Sequence, residues 1–210
     1  MKKILLIGGG GHCKSVIDVI ELEGKFEIAG IVDREEMVGK SVVGYKVIAT
    51  DSELSRLREE FEYALVTVGQ IKSVNVRKRL FNKLKDLEYK MPVIVSPKAH
   101  VSKHSEIGEG SVVMHYSLVN AGAKIGANCI LNTKSLIEHD VIVGNNCHIS
   151  TGAVVNGACT IGNEVFIGSN SVIANNVHVA DGSVLGAGSV VYRNIEKAGI
   201  YVGNPAERVR

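Results

Sequence analysis

The chain has 210 residues, 45% hydrophobic but only 5% aromatic, with 23 Gly and no Trp; such aliphatic, glycine-rich material is not that of a disordered chain. Three prolines exclude a collagen-like helix. A formal charge of +2, from 24 basic and 22 acidic side chains, argues against a nucleic-acid-binding surface.

The first apolar run, Ile4–Ile7 after Lys2-Lys3, is too short for a secretory signal and has no small-residue cleavage site behind it. It reads as a buried strand over Lys3–Ile7, followed by the loop Gly8–Gly11 and His12. A helix is expected over Cys13–Leu22, with Val16, Ile17 and Ile20 on one face, and a strand over Phe26–Val32 ending at Asp33. These compose a βαβ unit. Asp51–Phe61 reads as a helix capped by Asp51 or Ser52, Tyr63–Val68 as a strand ending at Gly69, and Val74–Leu84 as a basic helix. A Rossmann-like α/β domain is therefore expected over residues 1–94. Gly8 and Gly10 satisfy the first two positions of G-x-G-x-x-G, but the third falls on Cys13, so the dinucleotide fingerprint is incomplete. What remains is a strand, a glycine turn and a helix N-terminus able to receive an anionic group such as the diphosphate of a nucleotide-sugar. A domain this small does not accommodate a dinucleotide and a substrate together, which argues against an oxidoreductase.

Near residue 95 the texture changes. From Val101 to Val191 the charged residues are only Lys103, Glu106, Glu109, Lys124, Lys134, Glu138, Asp140, Glu164 and Asp181. Every sixth residue from Val95 to Val191 is Val, Ile or Leu, with no insertion. The fourth residue after each is small or slim, from Ser111 through Cys129, Cys147 and Cys159 to Ser189. Gly108, Gly126, Gly144 and Gly162 recur every eighteen residues, as do Gly168 and Gly186, so three hexads make one coil. This is the pattern of an all-β, left-handed parallel β-helix of hexapeptide repeats, expected over 95–195 with about five coils, and with 196–210 as a C-terminal cap or tail.

Within this bland stretch, Asn132–Asp140 places His139 between Glu138 and Asp140. An imidazole beside a carboxylate is a general base with an orienting partner; Asp140 is the first choice for that partner and Glu138 the second. His148, half a coil further on, is the next candidate. His100, His104, His115 and His178 read as surface or structural, and the histidine spacing suits no metal. The cysteines Cys13, Cys129, Cys147 and Cys159 contain no C-x-x-C pair, and the last three fall on the small inward position as packing residues. With no export signal, reduced thiols in a cytoplasm are expected. No serine has a nucleophile-elbow context.

Gly-Gly-Gly-Gly-His-Cys-Lys-Ser at 8–15, the coils, Ser135–Asp140 and the ending Gly203-Asn204-Pro205-Ala206 together resemble the sialic acid O-acetyltransferase family called NeuD. That family includes the bacterial nucleotide-sugar N-acetyltransferases of the PglD and perosamine type. The resemblance covers essentially the whole chain. It implies a homotrimer with active sites between neighbouring coils, a sugar nucleotide on the N-terminal domain and acetyl-CoA along the coil. His139 is similar to the family's general base, and His12 to a substrate-contacting histidine of its amine-acetylating branch. Gly11, Cys13, Asp33, Arg34 and Gly69 match positions around the nucleotide-sugar; His148, Gly157, Ser169 and Ala187 match positions beside acetyl-CoA. The expected activity is acetyl transfer to the amino group of a nucleotide-linked amino sugar in bacterial surface-glycan biosynthesis. The alternative is O-acetylation of sialic acid, because Asn132–Glu138 reads more like that branch. A non-catalytic trimeric scaffold would explain neither His139 nor the loop at His12, and a carbonic-anhydrase-like coil would need metal histidines across subunits that the spacing does not suggest. No metal, nucleic-acid partner or membrane insertion is expected.

Overall fold

The computed structural model describes residues 1–71 and 73–210 and divides into two units, Met1–Val95 and Ser96–Arg210. In the first unit β1 (Lys2–Ile7) is flanked by two parallel neighbours, β2 (Phe26–Val32) and β5 (Tyr63–Val66). Ile4, Leu5, Leu6 and Ile7 are all buried, the pattern of a central strand covered on both faces. Helix α1 (Gly11–Glu23) starts two residues before the expected Cys13 and buries Cys13, Val16, Ile17, Val19 and Ile20. It ends at Gly24, whose φ of +66° lets its N–H return to Ile20 C=O at 3.0 Å.

Two elements differ from expectation. A hairpin of β3 (Ser41–Val42) and β4 (Tyr45–Ala49) extends the sheet to the order β3-β4-β2-β1-β5, turning at Val43 and Gly44 with φ of 48° and 86°. Positive φ at both central residues is what a two-residue hairpin requires, although Val is a poor residue for it, which hides the turn from sequence inspection. The helix expected over Asp51–Phe61 is shorter, a single 3₁₀ turn at Asp51–Glu53 running into α2 (Leu54–Leu57). Its cap is Thr50 rather than Asp51 or Ser52, and Thr50 N–H donates to Glu53 Oε2 at 3.0 Å. Helix α3 (Asn75–Asp86) completes the unit and buries Leu80, Phe81 and Leu84.

The second unit is a left-handed β-helix. Two-residue strands from successive coils pair in parallel eighteen residues apart, as in Leu118↔Leu136↔Val154, Lys124↔Ile142↔Thr160 and Ile130↔His148↔Phe166. Three sheets result, one per side of the coil. Every inward aliphatic from Val113 to Val191 is buried, as is every small partner from Ser111 to Ser189. Every sixth residue from Gly110 to Gly188 has positive φ, whether glycine or, as at Tyr116, Asn128, Lys134 and Asp140, not. A left-handed residue turns the chain sharply enough to begin the next side. After the last regular coil, Ile200–Val202 pairs with Val184–Leu185, and Glu207–Arg208 folds back antiparallel upon it.

Candidate active site

In the first unit the chain leaves β1 between β2 and β5, so the loops beyond those strands diverge and open a crevice of about 570 Å³. The glycine turn forms one wall. Gly8 has φ of +105°, and a Cβ there would collide with the Val68 side chain, so no other residue fits. Gly9 N–H donates to Asp33 Oδ2 at 2.6 Å and Arg34 N–H to Asp33 Oδ1 at 2.7 Å, so Asp33 fastens the turn to the end of β2. A Cβ on Gly10 or Gly11 would meet nothing within 4 Å, which leaves the outer side of the turn open. The first intrahelical bond of α1 is Lys14 N–H to Gly10 C=O at 3.4 Å, so the N–H groups of residues 11–13 precede it at the positive end of the helix dipole. His12 is half-buried, its Cβ 3.4 Å from where a Cβ on Gly69 would stand. Cys13 faces the core; burial pushes its thiol up to about 11, with Asp33 adding and the Thr67 hydrogen bond opposing. Only its backbone N–H remains to serve a ligand. Arg34 is exposed at the rim, 3.1 Å from Glu36 and 3.8 Å from Asp33.

In the second unit His139 stands at a corner of the coil, just after the strand Leu136–Ile137. Asp140 next to it has φ of 58°, and this turn brings the two side chains to the same side. His139 Nδ1 lies 2.9 Å from Asp140 Oδ2, while Glu138 Oε2 accepts from His139 N–H at 3.2 Å and from Asn120 Nδ2 at 2.9 Å. The neutral imidazole that gives Nδ1–H to Asp140 keeps its lone pair on Nε2. The ring rests on Gly157, one coil further: a Cβ there would lie 2.7 Å from both Cε1 and Nε2. One coil back, a Cβ on Gly122 would collide with Asp140 Oδ1. Two glycines thus frame the pair. Sequence reasoning named Gly157 but missed Gly122 and Asn120; the signal was an offset of eighteen residues from Asp140 and Glu138.

His148 lies on a different side of the coil, on the strand His148–Ile149. It is 6% exposed, with Nε2 3.1 Å from Asn132 Nδ2 and its ring edge-on to Phe166 at 5.2 Å. Ser169 and Ala187 occupy the same corner of successive coils, where Ser169 C=O accepts from Gly188 N–H at 2.8 Å. The N–H groups of Gly157, Ser169 and Ala187 have no acceptor among the described residues. Among those residues no group of three His, Cys, Asp or Glu is placed to hold a metal.

The model of the PglD N-terminal domain matches residues 3–84, and that of the bacterial transferase hexapeptide (six repeats) matches 122–157 and 158–193. The acetyltransferase domain of PglB from Neisseria gonorrhoeae superposes with a TM-score of 0.93 at 33% identity, covering 100% of both chains. The chain belongs to the PglD-type family of hexapeptide-repeat acetyltransferases. PerB from Caulobacter crescentus, solved with CoA and GDP-perosamine, also superposes, with a TM-score of 0.93 and 30% identity over 100% of this chain and 98% of that one. The UDP-N-acetylbacillosamine N-acetyltransferase of Bacillus subtilis (strain 168) is 31% identical over 119 residues, 54% of this chain and 52% of that protein. That match spans about half the length of the relative.

Proposed function

We propose that this chain is an acetyl-CoA-dependent N-acetyltransferase acting on the amino group of a nucleotide-linked amino sugar, in bacterial surface-glycan biosynthesis. The observation that carries the reading is the His139–Asp140 pair, held at 2.9 Å on a coil otherwise almost free of charge. His139 Nε2 takes a proton from the sugar amine as its nitrogen attacks the thioester carbonyl. Asp140 fixes the ring and supports the imidazolium that forms. Glu138, tied to Asn120 and to His139 N–H, sets the backbone at that corner. Acetyl-CoA supplies the activated acyl group and its thiolate leaves directly, with no covalent enzyme intermediate. The open N–H of Gly157, against which the His139 ring lies, is the donor suited to the oxyanion that develops. The open N–H groups of Ser169 and Ala187, one coil apart, suit the amide carbonyls of an extended pantetheine arm. His148 belongs to the same acetyl-CoA surface.

The sugar nucleotide is assigned to the first unit. The N–H groups of Gly11, His12 and Cys13 receive its diphosphate, while Asp33, Arg34 and Gly69 border it. The domain boundaries follow this division of labour: nucleotide-sugar binding over 1–94, acetyl transfer over 95–195 and a closing segment over 196–210. A homotrimer is proposed because one side of the coil points Leu118, Leu136, Val154, Val172 and Val190 outward, half-buried. Four free cysteines fit a reducing cytoplasm, and no helix among the described residues is long and apolar enough to cross a membrane.

The test is an acceptor screen with acetyl-CoA and a thiol readout, comparing UDP-, GDP- and CMP-linked amino sugars with free sialic acids. Turnover is expected with a nucleotide-linked amine, and His139→Ala should lower kcat by about 10²–10⁴-fold without loss of fold. Turnover confined to a hydroxyl acceptor would move the assignment to O-acetylation, and near-normal kcat in His139→Ala would remove His139 as the base.

A further inference from the structure

The crevice of the first unit holds a cation that neither the glycine turn nor β2 supplies. Arg79 of α3 lines it together with Gly8–Gly10 and Asp33. Its one ion pair among the described residues is a single contact, Nη1 to Asp51 Oδ2 at 3.4 Å, with the two side chains 64% and 38% exposed. A pair of this kind, monodentate and solvated, contributes little to stability. Asp51 is meanwhile held from another direction, its carbonyl accepting from Lys83 Nζ at 2.5 Å. The backbone that carries the carboxylate is therefore anchored independently of Arg79. Arg34, the other arginine of the crevice, already faces two carboxylates, Asp33 and Glu36. Both Asp33 oxygens are engaged by backbone N–H groups. Arg79 is thus the cation of the crevice whose existing contact is most easily exchanged.

We propose that Arg79 is a phosphate-binding residue of this site, and that a nucleoside diphosphate draws its guanidinium off Asp51. This rests on the reading that the crevice takes the nucleotide-sugar. A diphosphate presents paired oxygens that accept two parallel N–H bonds from one guanidinium, a geometry that the single contact to Asp51 does not use. The glycine turn at the start of α1 and Arg79 border the same crevice, so both can serve the phosphates. Asp51, its backbone held by Lys83, is the acceptor beside which the guanidinium rests before ligand arrives.

Isothermal titration of the full chain with UDP and GDP, using uridine and guanosine as phosphate-free controls, tests this. In Arg79→Gln, affinity for the better diphosphate should fall about ten- to hundredfold, while that for its nucleoside is unchanged. Asp51→Asn, which removes the competing acceptor, should bind the diphosphate as tightly as the native chain or more so. Equal diphosphate affinity in the native chain and Arg79→Gln overturns the proposal, as does an equal loss for nucleoside and diphosphate. Weakening in Asp51→Asn with none in Arg79→Gln overturns it too, by making Asp51 the contact. A native chain that binds neither UDP nor GDP overturns the nucleotide reading itself, a result distinct from failure of Arg79 alone.

Discussion

His139 and Asp140 are neighbours in sequence, and on a straight strand their side chains would point to opposite faces. They meet because Asp140 occupies a left-handed corner, with φ of 58°. The cost of that conformation is met by the fold, which uses the same turn at every corner from Gly110 to Gly188. The pair is then positioned by absence of side chains, with Gly157 under the imidazole and Gly122 against the carboxylate. Gly157 does not have positive φ, so alanine suits its backbone and the conflict is with the His139 ring alone. Gly157→Ala is therefore expected to keep its melting temperature within a few degrees and to lose roughly 10²-fold in kcat, since displacement of a catalytic group by about 1 Å has that effect. Thermal melting beside steady-state kinetics checks it; unchanged kcat would show that the ring needs no seat there.

At the scale of the element, the coil separates two reasons for glycine. A Cβ on Gly144 would lie 2.7 Å from the Gly162 carbonyl carbon and from Asn163 N, backbone atoms of the next coil that cannot rotate away. A Cβ on Gly188 would meet nothing within 4 Å, and only its φ of +69° favours glycine. Gly144→Ala should thus cost about 3 kcal/mol and Gly188→Ala about 1 kcal/mol in urea unfolding, and a reversed order would refute the stacking argument. The same repetition explains what the sequence made legible. Each hexad imposes one demand, an aliphatic inside and a small residue four places on, and seventeen aligned aliphatics from Val95 to Val191 cannot be misread. The hairpin at Ser41–Ala49 imposes its demand once, through Val43, and escaped notice. The His139 segment was legible because charge is scarce around it. Arg79 was not, because α3 carries many basic residues and only the fold brings one of them to the glycine turn. Gly122 was hidden for a different reason: its partner Asp140 is eighteen residues away, a distance that becomes adjacency only once coils are stacked.

At the scale of the whole molecule, two sides of the coil differ in what they show outward. The strand positions between the inward aliphatics read Glu106, Lys124, Ile142, Thr160 and His178 on one side, polar at all but Ile142. On another they read Leu118, Leu136, Val154, Val172 and Val190, an unbroken aliphatic stripe along five coils. A contiguous apolar stripe of that length is the kind of surface that association covers, and the proposed trimer would cover it around a closed axis without leaving a free edge. His139 stands at the corner where this side ends, so closure by a neighbouring subunit would also exclude water from the proposed base. Val154→Glu and Val172→Glu together are expected to convert a trimer into monomers by sedimentation velocity, with the circular dichroism of the coil retained. Acetyl transfer should fall in parallel, because the proposed base, His139, is then left in open solvent. Thr160→Glu, on the polar side, should change neither sedimentation nor turnover. A monomeric native chain, or a doubly substituted chain that still sediments as the trimer, would remove this stripe as the subunit interface.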